Sequence, residues 1–417
     1  MHSTRTFIGG FVPALLAALV IGLTTAPATA APPDNPKELF PGAKLMHKFP
    51  KEVYRAPIFV TTDKGTRLEI WFDAFDPEPP PKPGVIPEIA GKLPDPRIEM
   101  LIWDPIASKE LHKFSYPKDP IAYPRVSDRL QRDGGMAISP DDKRLASQTI
   151  TYTPRRGSPY GDFTTRVKLI DIESRKVQLG AEYKEEKAPS VTQVRLLFGP
   201  DGALITLRGS ECTIQEPGKD KPRTRFELPR AANGHWSGIH DAVTSPDGSQ
   251  LVVAADGTII VYDMAKGKKL FEAARAAPEP KKGGDQWTVD VALAYAPSAS
   301  DPKLLAVESV VGSNGAKKDF AVARLFDLKD MKETGKCTVA EQEYPLTASA
   351  YFTAKGEPRI LYDGKVLDGA TGKELHKFDP GAGSFVSRDG KALVRMTKKK
   401  KENKTMTVEV WSLDNEK

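Results

Sequence analysis

Cysteine is almost missing: the 417 residues contain two, Cys212 and Cys337. That excludes a disulfide-stapled scaffold and leaves a cysteine–histidine metal centre without ligands to draw on. There is no Gly-x-Ser-x-Gly elbow, no His-Glu-x-x-His helix and no phosphate-cradling glycine loop, so the common hydrolase, metalloprotease and nucleotide signatures are absent. No turn sets oxygen ligands at alternate positions as a calcium loop requires, and neither a metal nor a cofactor is expected. Charge of one sign is lacking too. With 61 Lys and Arg against 55 Asp and Glu, the formal charge is +6 and both signs are mixed along the chain. The apolar share of 39% still supports a real core.

The one sustained apolar run is near the start, from Phe11 to Leu23, and Pro13 interrupts it. With Arg5 before it and Ala28-Thr29-Ala30 after it, residues 1–30 read as a signal peptide cleaved near Ala30. The run is too short for a comfortable membrane span. No cysteine stands at the cleavage site to take a lipid. The chain is therefore expected to be exported, periplasmic or extracellular, with residues 31–42 as a linker and no transmembrane span after cleavage.

Gly234 to Phe271 sets the pattern for the rest. Gly234-His235 leads to the turn Ser245-Pro246-Asp247-Gly248, the run Leu251-Val252-Val253, a second turn at Asp256-Gly257, then Ile259 to Asp263 and Lys269-Leu270-Phe271. This stretch resembles one blade of a WD-repeat β-propeller, with Tyr262-Asp263 where Trp-Asp is expected. The resemblance implies that His235 hydrogen-bonds across its blade to Asp256, a structural rather than catalytic pair. It also implies sheets of four strands, each needing neighbours to bury both faces.

Six further stretches repeat the pattern. The expected blades are about 57–115, 134–183, 194–228, 234–272, 289–338, 348–378 and 384–413, and the first ends its third strand in a true Trp103-Asp104. The seventh has no outer strand of its own. Lys44-Leu45-Met46-His47-Lys48-Phe49 nearly copies Lys109 to Phe114 and Lys373 to Phe378, which close the first and sixth blades. Residues 43–49 are therefore expected to pair with Val408 to Leu413. The whole reads as an all-β, seven-bladed propeller of four-stranded antiparallel blades over residues 43–417, closed by its N-terminal strand and monomeric. The repeated His47, His112 and His376 point to packing, because a catalytic histidine need appear only once. Cys212 and Cys337 fall in separate blades and are expected to be free thiols.

Extra length is gathered in the connections that open on one face, between second and third strands and between blades. That one-sidedness predicts a binding face. Its chemistry is basic with aromatic interleaving: Tyr123 and Arg125; Arg155, Arg156, Tyr160 and Phe163; Trp236; Trp287; and Lys398-Lys399-Lys400-Lys401. Such a surface suits a protein or an anionic envelope polysaccharide, and export argues against nucleic acid. The expectation is a non-catalytic scaffold. The alternative is an enzyme using the central channel, a hydrolase, lyase or quinone-dependent dehydrogenase. Charged side chains converging from the first strands would mark it, whereas those strands carry mainly Met136, Ala137, Ile138, Leu197, Ala242, Val243, Val291, Leu293, Ala350, Tyr351 and Val386.

Overall fold

The computed structural model describes residues 39–49, 58–62, 65–74, 97–117, 136–154, 161–188, 194–219, 221–228, 239–255, 258–274, 287–298, 300–312, 319–342, 348–398 and 406–413. Every regular element within them is a β-strand. The first, β1, is Lys44–Lys48. Blade one holds β2 (Ile58–Thr62), β3 (Gly65–Ala74), β4 (Arg97–Asp104) and β5 (Lys109–Pro117). Blade two holds β6 (Met136–Ile138), β7 (Arg144–Pro154), β8 (Gly161–Asp171) and β9 (Val177–Ala188). In blade three these are β10 (Val194–Phe198), β11 (Leu204–Arg208), β12 (Glu211–Gln215) and β13 (Thr224–Glu227). Blade four has β14 (Ile239–Thr244), β15 (Gln250–Ala255), β16 (Thr258–Asp263) and β17 (Lys268–Ala274). Blade five has β18 (Trp287–Tyr295), β19 (Lys303–Gly312), β20 (Asp319–Asp327) and β21 (Lys332–Gln342). Blade six has β22 (Ser349–Phe352), β23 (Pro358–Tyr362), β24 (Lys365–Asp368) and β25 (Glu374–Lys377), and β26 (Gly383–Val386), β27 (Ala392–Lys398) and β28 (Met406–Ser412) begin blade seven.

Each set bonds edge to edge in chain order, and the seventh sheet takes β1 as its outer strand, in the order β1-β28-β27-β26. First strands of successive blades neighbour one another, as β2 does β6, β14 does β18 and β22 does β26, and so form an inner ring. The chain is a seven-bladed β-propeller closed by its N-terminal strand.

Period-two alternation explains why the sheets must stack. Along β4, Met100 and Ile102 pack toward Ile138 and Leu145 of blade two, while Leu101 and Trp103 pack toward Val394 and Val408 of blade seven. In β15, Leu251 and Val253 join the cluster shared with blade three, and Val252 and Ala254 the one shared with blade five. Every pair of successive blades shares such a cluster, including blades seven and one. A fully buried Leu or Ile contributes about 1.5–3 kcal/mol, so each interface holds a large share of the stability.

The turns after the first strands of blades two, four and seven are hydrogen-bonded boxes. In blade four, Ser245 Oγ donates to Asp247 Oδ1 at 2.6 Å and accepts from the Gln250 N–H at 2.9 Å. The same bonds recur at Ser139/Asp141/Arg144 and Ser387/Asp389/Ala392. The fourth place takes a left-handed backbone, with φ of 59° at Asp142, 70° at Gly248 and 68° at Gly390. Aspartates also cap the turns after the third strands: Asp104 Oδ1 accepts from the Ile106 and Ala107 N–H groups, and Asp263 Oδ1 from those of Ala265 and Lys266. Asp104 further takes Arg67 Nη1 at 3.1 Å. These acids hold turns by local side-chain bonding.

Outer strands lean on the aromatic residue of the next blade's third strand. Phe226 lies 4.8 Å from Tyr262, and Phe271 lies 5.9 Å from Phe326. His47 of β1 plays this part at the ring seam, 4.6 Å from Trp103, and His376 stacks 5.0 Å from Phe40. Burial lowers the pKa of both histidines below the ordinary imidazole value, and Arg359 adds to the effect at His376. The unfolded chain takes up these protons near the usual value of about 6.5. The folded chain takes them up only at lower pH. Stability from the neutral rings is thus whole above the unfolded value and lost as pH falls through the folded one. The melting temperature is expected to drop between about pH 7 and pH 5, and to drop less when His47 and His376 are both changed to Phe. Equal drops in the two proteins would remove these histidines from the acid response.

Candidate functional site

In every blade the turns after the first and third strands open on one face. The connection after the second strand and the link to the next blade open on the other. On the first face the aspartate boxes of blades two, four and seven hold short turns after their first strands. The second stands at unequal heights. β7 and β8 remain paired from Arg144↔Asp171 out to Pro154↔Gly161, and β19 and β20 from Lys303↔Asp327 to Val310↔Phe320. β11 and β12 already end at Arg208↔Glu211, and β23 and β24 at Tyr362↔Lys365. Trp287 opens β18 and Lys398 ends β27, so both mark this second face. Tyr123, Arg125, Arg155, Arg156, Tyr160, Trp236, Lys399, Lys400 and Lys401 lie outside the described residues, as do His235 and Asp256.

The inner ring carries charge that an apolar lining does not account for. Asp241, on β14, is buried and faces two guanidinium groups. Arg195 of β10, in the preceding blade, donates from Nη1 to Asp241 Oδ1 at 2.7 Å. Arg388, in the turn between β26 and β27, donates from Nη2 to the same oxygen at 2.6 Å. Blade seven does not adjoin blade four, so this second contact crosses the interior of the ring. The Ala242 N–H adds a third bond to Oδ1, and the Leu293 N–H of β18 reaches Oδ2, both at 2.8 Å.

Local backbone geometry makes this arrangement. The β14–β15 register shifts between Ile239 and Asp241, a bulge at His240 that re-aims the side chains beside it. The His240 carbonyl accepts from Arg195 Nη2, and the Ala242 carbonyl from Arg388 Nη1 at 3.1 Å. First strands pair on one side only, and Asp241 satisfies an N–H on the inner edge of the next blade. Ser349 has the comparable task between blades six and seven, its Oγ accepting from the Val386 N–H at 3.4 Å.

One signal for the cluster was present in the chain. The turns Ser139-Pro140, Gly199-Pro200 and Ser245-Pro246 carry proline where blade seven has Arg388 after Ser387. Arg195 and Asp241 stand four residues before Gly199 and Ser245, a shared place that only alignment of the turns reveals.

Two other features are spoken for. A shallow groove of about 740 Å³ between blades three and four, bordered by Arg223, Gln250, Asp263 and Leu270, has its arginine 2.5 Å from Asp201. Cys212 and Cys337 are free, on β12 and β21, and burial raises both thiol pKa values away from the reactive range. Among the described residues, no cluster of His, Cys, Asp and Glu is placed to hold a metal ion, and no helix is long and apolar enough to cross a membrane.

No known family's sequence profile matches the chain, and no curated protein matches it. Similar solved structures include the β-propeller domain of Cps50 (Swd1) from Myceliophteria thermophila, at 12% identity over 89% of this chain and 99% of that one, with a TM-score of 0.48. Dihydro-heme d1 dehydrogenase NirN in complex with DHE is 14% identical over 72% of this chain and 66% of its own, with a TM-score of 0.38. Hsv2 of Kluyveromyces lactis is 14% identical over 60% of this chain and 70% of its own, with a TM-score of 0.33. These likenesses transfer no residue and no activity. The propeller stands on its own strand order.

Proposed function

We propose that the chain is an exported, non-catalytic scaffold that binds a protein or an anionic polysaccharide through the face on which the second-to-third-strand hairpins open. The supporting observation is the difference between the two faces. One carries short aspartate-box turns in blades two, four and seven, while the other is raised by the long β7–β8 and β19–β20 hairpins and left low at blades three and six. A folded core needs only short turns, so unequal hairpins on one side are explained by what they meet rather than by what they support.

Catalysis in the channel is the second reading, and the charge at Asp241 is what favours it. Asp241 accepts four hydrogen bonds. A carboxylate has about four lone-pair sites, so these bonds engage it with its neighbours rather than with a substrate. That assigns Asp241 to holding neighbours in place.

Capture from the native envelope after mild crosslinking tests the binding face. Replacing residues 75–96 and 155–160 by short Gly-Ser turns is expected to remove the captured partner and leave the melting curve unchanged. Undiminished capture by a normally folded variant would place the binding surface elsewhere.

A further inference from the structure

We propose that the inner ring holds an oxyanion site, formed by Arg388 and Arg195 around Asp241, which takes the carboxylate or phosphate group of a small molecule. The inference does not depend on the binding face proposed above. It rests on unbalanced charge, unused donors and an arginine the fold does not need.

Two guanidinium groups share one carboxylate, and among the described residues no second acid forms an ion pair with either of them. One positive charge therefore remains, inside a channel walled by seven sheets. Low-dielectric walls concentrate the field of such a charge and raise the local concentration of anions.

Each guanidinium offers five N–H donors. Arg195 uses Nη1 on Asp241 and Nη2 on the His240 carbonyl, while its buried Nε has no partner among the described residues. Arg388 uses Nη2 on Asp241 and Nη1 on the Ala242 carbonyl. The Arg195 side chain is 8% exposed, whereas that of Arg388 is 41% exposed. One arginine is thus fixed in the wall, and the other leaves the rest of its fork exposed to solvent. A planar fork with open donors matches two oxygens of a carboxylate or phosphate.

The turn that carries Arg388 does not require it. Ser387 and Asp389 make the same box as in blades two and four, and those blades hold it with Pro140 and Pro246 at the corresponding place. A side chain that replaces a turn-forming proline, crosses the ring and over-neutralises its carboxylate is explained by a ligand.

Titration calorimetry and thermal melts of the full chain test this with potassium phosphate, sodium acetate and sodium chloride at matched ionic strength. The expected result is saturable, one-to-one binding of phosphate, acetate or both, with a rise in melting temperature that chloride does not give. Response to phosphate alone identifies a phosphate-bearing ligand, and response to acetate alone a carboxylate-bearing one. Arg388→Pro, which restores the turn of the other blades, and Arg388→Gln should both fold and lose at least tenfold in affinity. The variant with short loops on the hairpin face should bind the anion as wild type does. A chloride response equal to the others, or unchanged affinity in the folded Arg388 variants, would overturn the assignment.

Discussion

Asp241→Ala is expected to lower the stability of the ring by about 3–5 kcal/mol, the effect of leaving buried charge without its partner. Arg195 is held 2.7 Å from Asp241, and its side chain is 8% exposed. It cannot turn into water without opening the interface between blades three and four. The variant also takes from the Leu293 N–H, on the inner edge of blade five, its acceptor at 2.8 Å. Asp241→Asn keeps an oxygen of the right shape and should fall between the two. Arg388→Gln should melt close to wild type, since a side chain 41% exposed can leave its partner for solvent. Urea unfolding curves give the comparison directly. A large loss in Arg388→Gln with little in Asp241→Ala would show that the crossing arginine, not the buried acid, organises the ring.

Removing residues through Phe49 should be the most damaging change. Without β1, the inner three strands of blade seven present the open edge of β28, whose present partners run from Lys44↔Ser412 to Lys48↔Glu409. Open edges pair with other chains. The clusters on both sides of the blade lose members as well: Phe40 and Ala43 toward blade six, Phe49 toward blade one. Phe49 is buried, and its truncation to Ala alone should cost about 3–5 kcal/mol. The deleted protein is expected to elute as aggregate or as an open, early-melting species. A monomer with the wild-type melt would mean that blade seven stands with three strands. The ion pair of Lys48 with Glu409, at 3.0 Å, is exposed on the lysine side and adds little.

Much of this architecture is legible along the chain because a propeller is built from local repeats. Alternation in Leu251 to Ala255, the Ser-x-Asp boxes and the Trp103-Asp104 pair each act within a few residues of themselves. The closing strand was legible for another reason: Lys44 to Phe49 repeats a sequence found twice elsewhere at the same outer place. The loop-borne residues of the hairpin face, from Tyr123 to Lys401, were legible only as composition in connections.

The sequence alone determined the sheet content, the blade count and the strand that closes the ring, since period-two hydrophobicity and turn chemistry act between near neighbours and repeat. Tertiary structure decided the contents of the inner ring. Arg195, Asp241 and Arg388 belong to three blades, the last two 147 positions apart in the chain. No local rule relates them. Only circular closure brings blade seven within reach of blade four, and only the bulge at His240 turns the carboxylate to meet it.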